Sequence, residues 1–430
     1  MTYAAAVHPA TSRATLPHNK HPWRSKLPVI DALIPIDARR TLTRARFEQT
    51  RAKNLSTPVQ QQKRSLLISS SRDVEDLQFP IARSYLMNLA ARSAGLRAPI
   101  RAPRGSRNVR RTVVPVRAAA RGEFASFFPD EVTALEEPAA VEMAKKARQV
   151  SVAVPGRDKP VMTSVVSSPA PEGGEDASPF VLIHGFDSSC LEYRRLFPLL
   201  NERAESHAVD LLGWGFTDAG DAGIGDYSPE AKRAHLYAFW KQEIGRPITL
   251  VGASLGGAAA IDFATAHPEC VERLVLVDAQ GFIEGLGPMG MFPRPIALAG
   301  VNILKSKPLR NTANQMAYCD RGTFATEDAM RVGQLHTFQP QWADATLSFM
   351  KSDGYKVAKR VRTITQKTLV MWGRQDNILD TAYADRFAEE IPDSKLVWVE
   401  DCGHVAHLEQ PKFMAKTLFD FAGVESGVAA

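Results

Sequence analysis

Four short runs in the second half of the chain are almost uninterrupted in their apolar character. They are Phe180-Val181-Leu182-Ile183, Ile248-Thr249-Leu250-Val251, Leu274-Val275-Leu276-Val277 and Thr368-Leu369-Val370-Met371-Trp372. A strand that is apolar on consecutive positions, rather than on alternate ones, is covered on both faces, as in a parallel sheet held between helices. Weaker strand patterns lie at 150–154, 161–166, 207–211 and 396–399, the first two joined through Pro155-Gly156-Arg157-Asp158. Helical patterns fall at 131–149 (interrupted at Pro138), 191–201, after Ser228-Pro229-Glu230, through Ala258-Ala259-Ala260-Ile261, at 381–390 and at 411–421. Ser228 is suited to capping its helix, and proline suits the first helical position. Strands alternating with helices predict an α/β fold, a mostly parallel sheet with helices on both faces.

Two connections depart from this rhythm. An acidic Pro/Gly/Ser linker spans 168–178, and 86 residues (281–366) separate the strand at 274–277 from the next, where connections of about 2–6 residues are usual. The insertion is largely helical by pattern and carries Met291, Phe292, Met316, Tyr318, Phe324, Phe338, Trp342 and Phe349. Its position suggests a cap over the strand ends. The chain then divides into 119–178 (a helix, two strands and the linker), 179–280 (first half of the core), 281–366 (cap) and 367–430 (second half).

Charge changes the picture of the N-terminus. The net charge is +6, but residues 1–118 carry +16 and the remainder −10. The basic balance belongs to an Arg/Ser/Ala/Pro-rich extension without periodicity, expected to be disordered, and does not argue for a nucleic-acid partner. Arg-rich, acid-poor sequence marks an organelle transit peptide. From Met87 to Ala118 there are eight arginines and no lysine or acidic residue. That stretch runs into Val114-Pro115-Val116-Arg117-Ala118-Ala119-Ala120, which resembles the Val-x-Ala processing site of green-algal plastid precursors. The expectation is a plastid protein cleaved near Ala118, with Met87 as the biological start, a mitochondrial address as the alternative, and a retained basic arm as the plainer reading. Cys190, Cys270, Cys319 and Cys402 are scattered without metal or disulfide spacing. No apolar stretch approaches the ~18 residues of a membrane span; peripheral contact with plastid membranes stays open.

The chemistry centres on Gly252-Ala253-Ser254-Leu255-Gly256. Between a β-branched strand and an alanine-rich helix, Gly-x-Ser-x-Gly is the setting of a nucleophile elbow. The tight turn presents the serine at the top of the sheet, and bulk at Gly252 or Gly256 would collide with the neighbouring strand and helix. The start of the helix offers backbone N–H groups, Leu255 first, to a developing oxyanion. The plainer reading of the same residues is a loop joining strand to helix.

Four further segments stand in order around it: His184-Gly185-Phe186; Asp210-x-x-Gly213-x-Gly215-x-Thr217-Asp218; Trp372-Gly373-x-x-Asp376; and Asp401-Cys402-Gly403-His404-x-x-His407-Leu408-Glu409-Gln410-Pro411. Together these resemble the α/β-hydrolase fold superfamily from about Val150 to the C-terminus, and look most like plastid hydrolases of plants and algae. The resemblance implies an eight-stranded, mostly parallel sheet with a helical cap inserted before the penultimate strand. It also implies a triad of Ser254 as nucleophile, His404 as general base and Asp376 as its carboxylate partner. The backbone N–H groups of Phe186 and Leu255 would form the oxyanion hole. Asp278 is the alternative acid and His407 the alternative base; Asp380 reads as a helix cap, and His184 as a residue that orients the oxyanion loop. Serine at the elbow argues against the epoxide hydrolases and haloalkane dehalogenases of this fold, which use a carboxylate there. It leaves acyl transfer to water, with no cofactor or metal called for. A plastid setting and an apolar cap point to a lipophilic ester, such as an acyl lipid or a phytyl or prenyl-type ester. The C-terminal motif also resembles C–C hydrolases of aromatic ring cleavage, and some members of the fold are ligand receptors with little turnover. Nothing in the chain sets an oligomeric state.

Overall fold

In the computed structural model eight strands form one sheet: β1 (Arg148–Val152), β2 (Val161–Ser168), β3 (Phe180–Ile183), β4 (Ser206–Val209), β5 (Ile248–Ala253), β6 (Val271–Val277), β7 (Lys367–Gly373) and β8 (Ser394–Val399). The structure describes residues 120–424 apart from 173, 175–176, 219–224 and 287. The basic stretch 1–118, with Met87 and the expected cleavage site, lies outside the described residues. The strand order is β1-β2-β4-β3-β5-β6-β7-β8. β1 and β2 pair antiparallel, as do β2 and β4, and all later pairings are parallel.

The consecutive apolar residues of the central strands divide between two cores. Val181, Ile183, Ile248, Leu250, Leu274, Leu276, Val370 and Trp372 pack on one face. Phe180, Leu182, Val251, Ala253, Val275, Val277, Leu369 and Met371 pack on the other. The helices that cover them are α1 (Pro138–Lys146), α2 (Pro229–Glu243), α3 (Leu255–Ala266), the cap helices α4 (Arg294–Leu304), α5 (Lys307–Ala317), α6 (Glu327–Leu335) and α7 (Trp342–Lys351), then α8 (Ala382–Glu390) and α9 (Pro411–Ala422). α2, α3 and α8 contribute to the first core and α1 and α9 to the second. This is the α/β fold that the alternation calls for, with the cap helices inserted before the penultimate strand.

Two helical expectations are corrected. The 131–149 pattern is a short turn (Asp130–Ala134) followed by α1, because Pro138 starts the helix instead of interrupting it; Gln149 already belongs to β1. The 191–201 pattern breaks into turns at Cys190–Tyr193 and Phe197–Leu200. Its apolar residues Cys190, Leu191, Tyr193, Leu196, Phe197 and Leu200 are all buried, so the spacing reflects burial as much as helical period. Pro198 and the pull of Asp210 on the Cys190 N–H (2.6 Å) set the local path. Ser228 Oγ accepts the Ala231 N–H, capping α2, and Asp380 Oδ1 accepts the Ala382 N–H at the start of α8.

Parallel register brings the functional loops to one edge. Ile183 pairs with Gly252, Ala253 with Val277, Val277 with Met371, and Trp372 with Trp398. The residues after these positions are His184, Ser254, Asp278, Arg374–Asp376 and Glu400–His404, so all leave the carboxyl ends of their strands together, where open α/β sheets hold their ligands.

Candidate active site

Ser254 is the single residue between β5 and α3, at φ 53° and ψ −122°. Such a conformation is strained for a residue with a Cβ. It is held by backbone bonds on both sides: Ser254 N–H donates to Val277 O (3.0 Å), and Ser254 O accepts from Gly257 N–H (2.9 Å) and Gln280 N–H (2.8 Å). The flanking glycines are steric requirements. A Cβ on Gly252 would stand 2.3 Å from Gly256 O, and one on Gly256 would stand 2.3 Å from Ile183 O. The loop after β3 lies against the serine, since a Cβ on Gly185 would be 3.3 Å from Ser254 Cβ. Phe186 is the next residue after Gly185, and Leu255, the first of α3, follows Ser254 directly.

The structure brings His404 and Asp376 together. His404 Nδ1 is 2.8 Å from Asp376 Oδ2, and the other oxygen, Oδ1, accepts the Ile378 and Leu379 N–H groups at 2.7 and 3.0 Å. Burial works against a charged imidazole here, but the Asp376 carboxylate outweighs it and raises the His404 pKa to about 9. Asp278 is fully buried beside them at φ 44°. One ligand atom from each of Asp278, Asp376 and His404 lies within 4.8 Å of the others. Asp278 Oδ1 accepts the Gly373 N–H at 2.7 Å, and Oδ2 has no partner. Burial, and then the charge of Asp376, push the Asp278 carboxyl well above the ordinary range. Only a neutral His404 can accept a proton from Ser254. For a reaction in which His404 is the base, the raised pKa predicts a rate that climbs through the alkaline range towards pH 9, measured as a pH–rate profile, and an Asp376→Asn variant should move that limb to lower pH.

Four carboxylates hold these loops: Asp187, Asp210 and Glu409 are buried and Glu192 partly so. Glu192 Oε2 accepts the Gly185 N–H (3.2 Å), and its Oε1 lies 3.1 Å from His407 Nε2. Burial would raise the Glu192 pKa, but His407 overrides this and lowers it to about 2. His407 thus pairs with the carboxylate that holds the loop after β3. Glu409 fixes the loop that carries His404: Oε2 accepts the Gly403 N–H (2.6 Å) and the Cys319 N–H (3.1 Å), and Oε1 the Asp320 N–H (3.0 Å). Asp210 takes the Cys190 and Phe216 N–H groups at 2.6 and 2.8 Å, with Gly215 at φ 59° packed where a Cβ would strike the carboxyl.

Asp187 follows Phe186 directly and is buried at φ 51°. Its Oδ1 accepts from His336 Nε2 (2.8 Å) and Trp342 Nε1 (2.6 Å), and its Oδ2 pairs with Arg310. Burial opposes ionisation, but Arg310 and then His336 keep the carboxyl below its usual range. The donors come from α5, from the turn after α6, and from the start of α7, so three parts of the cap converge on the residue beside Phe186. His184 fixes the same loop from below. Its Nε2 accepts the Leu211 N–H (3.1 Å), so Nδ1 carries the proton and donates to Gly185 O (2.8 Å); burial lowers its pKa to about 4. The cap also meets the histidine loop, through His404 N–H donating to Ala317 O at 2.8 Å. Beside Phe186 the ring of Trp214, from the loop after β4, lies 5.3 Å from Phe186 and 4.9 Å from Phe349 of the cap.

A sequence model described as the alpha/beta hydrolase family matches residues 180–417. The chain is 41% identical over 310 residues, covering 71% of it and 93% of the relative, to the alpha/beta hydrolase domain-containing protein VTE7 of Arabidopsis thaliana. It is 24% identical to the monoacylglycerol lipase ABHD6 of Bos taurus, covering 56% of this chain and 74% of that one. Among solved structures, the meta-cleavage product hydrolase of Pseudomonas fluorescens IP01 superposes with a TM-score of 0.52 at 21% identity, covering 64% of this chain and 97% of that chain.

Proposed function

The chain belongs to the α/β-hydrolase family, and from that membership we propose that it is a serine hydrolase of lipophilic carboxylic esters, acting in the plastid through an acyl-enzyme. The observation that carries the reading is the strained Ser254 at the elbow, on the same edge of the sheet as the buried His404–Asp376 pair. In this mechanism Ser254 Oγ attacks the ester carbonyl while His404 Nε2 takes its proton, and Asp376 holds the imidazole in the right tautomer and stabilises its cation. The tetrahedral oxyanion is bound by the N–H groups of Phe186 and Leu255. Its collapse expels the alcohol, protonated by His404, and leaves Ser254 acylated. Water, deprotonated by the same histidine, then releases the acid. Esters fit this machinery because an alkoxide leaves more easily than an amide nitrogen.

A lipophilic substrate is supported by the aromatic residues beside Phe186, by the apolar insertion, and by the lipid-ester activity in the name of the bovine relative. The plant origin of the 41% identical relative is in keeping with a plastid address. A second reading, hydrolysis of a C–C bond with the same triad, is favoured by the Gly403–Pro411 motif.

The test is to expose the full chain to a fluorophosphonate probe and to chromogenic esters from acetyl to palmitoyl. Covalent labelling, with turnover that increases towards the longer chains, is expected. Labelling with turnover of vinylogous diketone substrates but not of esters would favour the C–C reading. Absence of labelling in a protein folded by circular dichroism would reduce the chain to a binding role.

A further inference from the structure

Cap helix α4 is packed on only part of its surface. Ala297 and Val301 are buried, whereas Phe292, Ile296, Ala299 and Ile303, four, three and four residues apart, are all exposed. That spacing puts them in one stripe along a helix face and the turn before it. Ile296 and Ile303 are 59% and 61% exposed, and Met291 beside them is 86%. Single exposed apolar residues are normal on any surface; a contiguous row of large ones marks a contact.

The charge around the stripe says which contact. From Gly285 to Cys319 the chain has four basic residues and no aspartate or glutamate, against a net −10 for residues 119–430. Arg294 pairs with Asp344 and Arg310 with Asp187, which leaves the exposed Lys305 and Lys307 where α4 ends. We propose that α4 and the turn before it dock the protein on an anionic lipid surface. Phe292, Ile296, Ile303 and Met291 enter the boundary between headgroups and acyl chains, and Lys305 and Lys307 meet the negative headgroups. A second copy of the chain fits less well. A two-fold contact would set this lysine pair beside its own equivalent, and one helical stripe falls short of the roughly 800 Å² per partner of a stable interface. Docking needs no catalytic step, so it stands or falls separately from the hydrolase reading.

The test uses the full chain and vesicles of phosphatidylcholine with or without phosphatidylglycerol. Because residues 1–118 carry +16, vesicle binding alone is not diagnostic, and the readout must be local to α4. A polarity-sensitive fluorophore goes on an Ile303→Cys thiol in a Cys319→Ser background, the other three cysteines being buried. Its emission should shift to the blue on phosphatidylglycerol vesicles. The Ile296→Asp/Ile303→Asp variant, changed only at exposed positions and expected to melt as the wild type does, should partition onto them at least about tenfold less. Equal partitioning of wild type and variant with an unshifted label would assign all vesicle binding to the basic extension and overturn the proposal. So would a dimer in sedimentation that the double variant turns to monomer while the label stays unshifted on vesicles. Failure here leaves fluorophosphonate labelling untouched, and failure of labelling leaves the vesicle result untouched.

Discussion

Replacing Ser254 by alanine is expected to lower kcat/KM for ester hydrolysis by about 10⁴–10⁶-fold and to abolish fluorophosphonate labelling, with the fold intact. The size follows from what is lost. The bond between enzyme and acyl group cannot form, and His404 has no hydroxyl to deprotonate, so the remaining groups act together on nothing. What survives is the backbone around the site, and substrate binding, read as KM or as protection by a non-hydrolysable ester analogue, should change little. Alanine has the same Cβ as serine, so the φ of 53° costs it no more than it costs the native residue. Melting curves of the two proteins should therefore agree closely. Turnover within about tenfold of wild type in the alanine variant would place the nucleophile elsewhere.

The second large effect separates two neighbouring carboxyl groups. Asp376→Asn should reduce kcat/KM by about 10⁴-fold, because an amide at that position can present the wrong hydrogen-bonding partner to Nδ1 and cannot stabilise the imidazolium. Asp278→Asn should cost less than about tenfold. Burial and the charge of Asp376 disfavour an ionised Asp278, its Oδ1 accepts the Gly373 N–H, and an asparagine oxygen can take the same bond. The geometry that decides between them is the 2.8 Å contact from His404 Nδ1 to Asp376 Oδ2, with Asp376 Oδ1 pinned by two backbone N–H groups. If Asp278→Asn were the crippling change and Asp376→Asn the mild one, the acid would be Asp278. Steady-state kinetics on the two variants settles it.

How much of this is legible in the sequence depends on how local the cause is. The central strands and α3 can be read from their own residues, since burial on both faces leaves runs such as 180–183 and 274–277 with no polar alternation. The meeting of His404 with Asp376 is legible because both belong to segments that leave strand ends, and parallel strands bring those ends to one edge. The segment 191–201 misleads because residues buried from several sides mimic a helical period. The roles of Glu192, Glu409, Asp187 and Asp210 are illegible for a different reason, although Asp210 and Glu409 stand in motifs. Each accepts N–H groups from loops, or donors from the cap, many positions away; Asp187 meets residues 310, 336 and 342. Before the fold is known, Glu192 and Asp187 look like any surface carboxylates, and the motifs around Asp210 and Glu409 do not say what those carboxyls hold.

The three-way grip on Asp187 divides the cap into parts with unequal freedom. Arg310, His336 and Trp342 lie in or beside α5, α6 and α7, and their register is fixed to the residue that follows Phe186. α4 sends no side chain to that carboxylate, so Asp187 does not fix its register. Tailoring the enclosure to a longer or bulkier chain therefore falls to the segment 288–304. That region can be re-cut in evolution, or bend as a substrate passes, while the tethered remainder keeps the backbone beside Ser254 in place.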